Sequence, residues 1–69
     1  MVTTVSQRIR ELRNERGLSQ KALAKQIGVS QKAIDYWERH VNEPKASYVV
    51  ALADFFQVSA DFLLGRNEW

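Results

Sequence analysis

One stretch limits what this chain can fold into more than any other: Gln20 to Arg39, QKALAKQIGVSQKAIDYWER. With Gln20 as its first position, Leu23, Ala24, Ile27, Gly28, Val29, Ile34 and Trp37 fall at positions four, five, eight, nine, ten, fifteen and eighteen. Apolar residues at helical spacing on both sides of a glycine predict two short helices joined by a tight turn. Ala24 is small where the second helix must cross the first at a steep angle. Gly28 suits the left-handed backbone that ends a helix, because it has no Cβ to clash. Val29 plugs the turn. Ser30 is placed to cap the next helix by accepting a backbone N–H, as Ser19 is for the helix before it. Leu23, Ile27, Ile34 and Trp37 then face inward, and the second helix presents its other residues outward.

The rest of the chain reads as support for this helix-turn-helix pair. Thr4 and Gln7 satisfy the reciprocal capping pattern, a hydroxyl followed three residues later by Glu or Gln, and so mark a first helix. Val5, Ile9 and Leu12 recur on one face of it. Gly17 ends that helix, the second runs from Gln20 to Ile27, and the third from Gln31 to roughly Arg39. A loop of His40, Val41, Asn42, Glu43 and Pro44 follows, with Pro44 punctuating entry to a fourth helix. Val49, Leu52, Ala53 and Phe56 form that helix's inner stripe. Ser59 caps a last short helix, Ala60 to Leu64, stopped by Gly65. No stretch alternates with period two and no repeat or low-complexity linker divides the chain. The expectation is a single all-α domain over residues 1–69, a bundle of five helices.

Sixty-nine residues lie near the lower limit for a single core, where folding buries only about 60% of the unfolded surface. An all-helical bundle is the economical solution. With no cysteine, a disulfide framework and thiolate metal ligands are excluded, which suits a cytoplasmic protein. A lone His40 without cysteine assembles no tetrahedral metal site, and no cofactor is implied. Asp54 and Asp61 are not a catalytic pair; Asp61 falls in the first turn of a helix, where negative charge is stabilising. An enzyme fails for lack of parts: there is no nucleophile with its base, no phosphate-cradling glycine loop and no metal cluster. No apolar run is long enough to span a bilayer. The charge is asymmetric. Residues 1–45 carry nine Lys/Arg against five acids, whereas residues 46–69 carry one against three. A basic front and an acidic back suit a small module that sets one side against a polyanion.

The segments RIRELRNERGLSQKALAKQIGVS and AIDYWER, then Pro44, then ALADFFQVSADFLLG, occur together in this order. From Arg8 to Gly65 the chain resembles the repressor family of phage Cro and cI-type proteins and the bacterial Xre-like regulators. The resemblance implies a lambda-repressor-like bundle that binds duplex DNA through its third helix, as a homodimer on a two-fold operator. It also implies that Gln20 contacts a phosphate and braces Gln31, and that Arg13 and Glu38 form an ion pair between the first and third helices. The family's glycine after the third helix is replaced by His40. Histidine tolerates positive φ better than most residues, so the turn is expected to survive at some strain.

In such a motif the N-terminal part of the second helix enters the major groove while the first crosses the backbone. The base-reading candidates are therefore Gln31, Lys32, Asp35 and Tyr36. Gln31 leads, since an amide bonds bidentately to adenine N6 and N7. Lys32 is placed to read guanine or hold a phosphate. Asp35 is placed to accept from cytosine N4 or to reject phosphates, and Tyr36 to meet a thymine methyl or a phosphate. The plainer reading of all four is a solvated helix face. Arg39, Asn42 and Lys45 are phosphate candidates after the helix, and Ser19, Gln20 and Lys21 offer a helix N-terminus to another phosphate. For Arg13 and Glu38 an internal tie is favoured over DNA contact. Val50, Phe55, Phe62, Leu63 and Trp69 exceed what one bundle face needs, so Phe62, Leu63 and Trp69 are candidates for a two-fold interface, against the plainer reading of ordinary core for Phe62 or Leu63 and a disordered tail for Trp69. The function expected is sequence-specific binding of double-stranded DNA by a transcriptional repressor from a phage, mobile element or bacterial operon. The alternative is an antitoxin-like regulator whose main contact is another protein. No small-molecule ligand is evident.

Overall fold

A computed structural model describes residues 4–66. It contains α1 (Val5–Glu15), α2 (Gln20–Ile27), α3 (Gln31–Glu38), α4 (Ala46–Phe56) and α5 (Ala60–Leu63), and among the described residues no strand. None of these helices is long and apolar enough to cross a membrane. Each start is fixed by local chemistry. The hydroxyls of Thr4, Ser19, Ser30 and Ser59 accept from the backbone N–H groups of Gln7, Ala22, Ala33 and Phe62. At Thr4 the Gln7 side chain accepts in return from the Thr4 N–H at 3.0 Å, which completes the capping box. Such a cap contributes about 1 kcal/mol by satisfying an N–H that the first turn leaves without a partner. Only α4 lacks a side-chain cap: it follows Pro44 and starts after Lys45.

The ends are equally regular. After α1, α3, α4 and α5 the chain makes one residue of left-handed backbone, at Gly17, His40, Gln57 and Gly65, and α2 ends likewise at Gly28. At the end of α3, His40 N–H donates to Trp37 O and Val41 N–H to Tyr36 O, the paired bonds that close a helix through a left-handed residue. The turn is therefore kept at His40, with φ 62°. Gly28 has φ 82°, and a Cβ built there would meet nothing within 4 Å, so the need for glycine is conformational rather than steric.

The inward residues meet in one core of Val5, Ile9, Leu23, Ala24, Ile34, Trp37, Val49, Leu52, Ala53, Phe56 and Leu63, with Leu12, Ile27 and Val29 packed around it. α2 packs against α3 and α4, α1 against α3 and α5, and α4 against α5. Ala24 is 3% exposed, which fits its place beside the crossing helix. Leu63 falls to the plainer of its two readings, core rather than interface. It is completely buried, because the single turn of α5 must supply a residue to close the core beneath α1 and α4, and it is not available to a second copy. Phe62 is half-buried, with the Arg8 guanidinium carbon 3.9 Å from its ring centroid. Trp69 lies outside the described residues.

Candidate nucleic-acid interface

Because Ile34 and Trp37 are consumed by the core, α3 turns Gln31, Lys32, Asp35 and Tyr36 away from it. These four line one open concavity with Gln20 from α2 and Arg39 from the end of α3. Gln31 and Lys32 are exposed, while Asp35 and Tyr36 are half-buried. The Lys32 ammonium stands 6.0 Å from the Tyr36 ring centroid, at the outer limit of a cation–π contact. Gln31 also borders a neighbouring depression lined by Ser19, Lys21 and Lys25, so it joins the two surfaces. Asn42 and Lys45 are exposed in the following loop and line neither.

Beneath the concavity lies an ion pair. Arg13 Nε donates to Glu38 Oε2 at 2.6 Å and another of its nitrogens to Oε1 at 2.9 Å, a two-pronged contact with side chains only 15% and 2% exposed. The hydrogen bond to Glu38 holds the Arg13 proton above the ordinary guanidinium range against the opposing effect of burial. Arg13 also donates to the Leu18 carbonyl, which ties the entry to α2. This is the internal link between α1 and α3, and it carries no exposed charge toward a ligand.

Gln20 behaves differently from the expectation. Its amide nitrogen lies 3.3 Å from Asp35 Oδ1 and 3.3 Å from Glu38 Oε1, and no Gln20 to Gln31 hydrogen bond forms among the described residues. Two carboxylates one helical turn apart on α3 outcompete a neutral amide for the donor. Asp35 accepts in addition from Arg39 Nη1 at 3.0 Å. Those bonds, Arg39's first and Gln20's second, draw the Asp35 carboxyl below its ordinary pKa. Arg39 is thus paired with a carboxylate while its side chain stays 61% exposed.

Residue patterns did not single out Arg10 or Arg16. Arg10 Nη2 donates to the Glu38 carbonyl at 2.8 Å, completing the end of α3, and Arg16 donates to the Phe56 carbonyl at 2.7 Å, completing the end of α4. Arg10 sits three residues before Arg13, on the same face of α1, and that spacing was the available signal. Cations at helix C-termini satisfy orphan carbonyls and oppose the dipole.

Residues 9–63 match the helix-turn-helix family model, and the chain belongs to the Cro/cI-type, Xre-like helix-turn-helix family. It is 42% identical over 60 residues to repressor protein C2 of Salmonella phage P22, an alignment covering 87% of this chain and 28% of that protein. It is 28% identical over 65 residues to the HTH-type transcriptional regulator ImmR of Bacillus subtilis, covering 94% of this chain and 51% of that one. This chain therefore spans between about a quarter and about half of these curated relatives. Among solved structures, the P22 c2 repressor in complex with a synthetic operator superposes with TM-score 0.87 at 38% identity, covering 94% of this chain and 98% of that one.

Proposed function

We propose that the chain is a sequence-specific double-stranded DNA-binding domain of a transcriptional repressor, which sets α3 into the major groove of a two-fold operator. The observation that carries this reading is the shared concavity of Gln20, Gln31, Lys32, Asp35, Tyr36 and Arg39, on a fold whose relative was solved on an operator. In it, Gln31 and Lys32 meet base edges and Tyr36 a methyl or a phosphate. Ser19, Gln20 and Lys21 at the start of α2, with Asn42 and Lys45 beyond α3, grip the backbone. Two copies act together on the operator, with Phe62 and Trp69 the remaining candidates for their contact, in the cytoplasm of a bacterium or phage-infected cell.

Selection from a random duplex pool at near-physiological salt tests this reading. A two-fold motif with half-sites about 10 base pairs apart is expected. Binding that enriches no sequence and vanishes as salt rises would leave only non-specific electrostatics and sink it.

A further inference from the structure

A continuous line of polar contacts leads from the interior of the bundle to the concavity. It starts at Arg13 on α1, crosses to the buried Glu38, passes through the Gln20 amide to Asp35 and ends at Arg39. Side-chain exposure along it is 2% at Glu38, 34% at Asp35 and 61% at Arg39, so the line is anchored within and open at its outer end. Both Asp35 oxygens have donors from the protein itself: Oδ1 faces Gln20 and Oδ2 faces Arg39.

Two physical consequences follow for a surface that meets DNA. A bare carboxylate facing a polyanion is repelled, and here Arg39 compensates it. Conversely, a guanidinium held by a carboxylate of its own helix gives up much of its attraction for phosphate. Non-specific affinity arises almost wholly from such cation–phosphate contacts, whereas Gln31 and Lys32 at the other end of α3 are untouched by the pair. We propose that Asp35 is a positioning residue rather than a base reader: it fixes Gln20 and withholds Arg39 from indiscriminate phosphate binding, which raises discrimination between operator and random DNA. This rests on the DNA-binding reading above.

Asp35→Asn keeps the shape and an oxygen for Gln20 but removes the charge that holds Arg39. Binding to the selected operator and to a random duplex is measured across a salt series, and selection is repeated with the variant. With Arg39 released, the logarithmic salt slope on random duplex steepens by about 0.9, so the loss of affinity between 50 and 200 mM salt grows about 3.5-fold. Base preference stays the same at every position, and the operator-to-random ratio falls. Adding Arg39→Ala to Asp35→Asn returns the slope to its original value. Lost preference at one base pair with an unchanged slope makes Asp35 a reader and overturns the proposal. Arg39→Ala alone leaves the Asp35 carboxylate uncompensated and is expected to weaken binding to both duplexes, a loss that adding Asp35→Asn restores; a slope that stays about 0.9 below the original in the double variant makes Arg39 a phosphate contact and overturns the proposal equally. An unsubstituted chain that binds no duplex at any salt removes the DNA-binding reading itself, a result separate from any difference between variants.

Discussion

His40 shows how one residue can depart from a pattern and leave the backbone intact. Its φ of 62° is the left-handed conformation, its ring Nε2 lies 3.2 Å from the Thr4 hydroxyl, and the closing bonds of α3 are made around it. The contact ties the end of α3 to the cap of α1. His40→Val, with a branched Cβ in the left-handed region, is expected to cost about 1–2 kcal/mol in chemical denaturation, whereas His40→Gly removes that strain and stays within about 1 kcal/mol of the original chain. Gln57 repeats the conformation at φ 61° and was illegible in the sequence, because the rule for helix ends looks for glycine. Its backbone N–H and side-chain amide both donate to the Asp54 carbonyl, at 3.3 and 3.0 Å, and hold the turn without one. At the proposed reading face, Gln31→Ala is expected to cost about 1–3 kcal/mol on the selected operator and relax preference at one base pair. Lys32→Ala, where its ammonium holds a phosphate, lowers the salt slope by about one.

Between elements, the link from α1 to α3 is costly to break from one side only. Glu38→Ala strands Arg13 in a site that its carboxylate alone neutralised, and a loss of about 3–5 kcal/mol is expected in urea unfolding. Replacing both residues by apolar ones of similar volume should recover most of that loss, since it removes the stranded charge with its partner. Asp35 adds a pH dependence of known sign. Its folded pKa is depressed by Arg39 first and Gln20 second, so its contribution is present above the unfolded aspartate pKa of about 3.9 and is lost as pH falls through the lower folded value. NMR titration of the Asp35 carboxyl checks this: Arg39→Ala should move the midpoint upward. The sequence made the helices legible because their signals are local: a hydroxyl at each of four starts and a 3.6-residue apolar stripe. It did not make the polar line through Gln20 legible. Which of two acceptors wins a donor depends on where α2 and α3 cross, and spacing along the chain does not report that.

At the scale of the whole molecule, composition foresaw the small helical bundle but not how its last residues are shared between core and surface. Leu63 and Phe62 are adjacent and equally apolar, yet the single turn of α5 spends the first on the core and lays the second under Arg8. Apolar excess in a sequence does not reveal that division. Sedimentation of the chain with operator DNA is expected to give two copies per site, and one copy at saturation would count against the two-fold reading. On the DNA-binding reading proposed above, the length of α3 also sets how much address the protein can hold. Eight residues rise about 12 Å along the helix axis, the length of about four base pairs at 3.4 Å each. Four letters name one site in about 256, and a paired half-site extends this to one in about 65,000, still short of the roughly million competing positions of a bacterial genome. The shortfall points to a division of labour. On that reading an eight-residue helix names a class of sites, and the shape of the intervening DNA supplies the remaining digits.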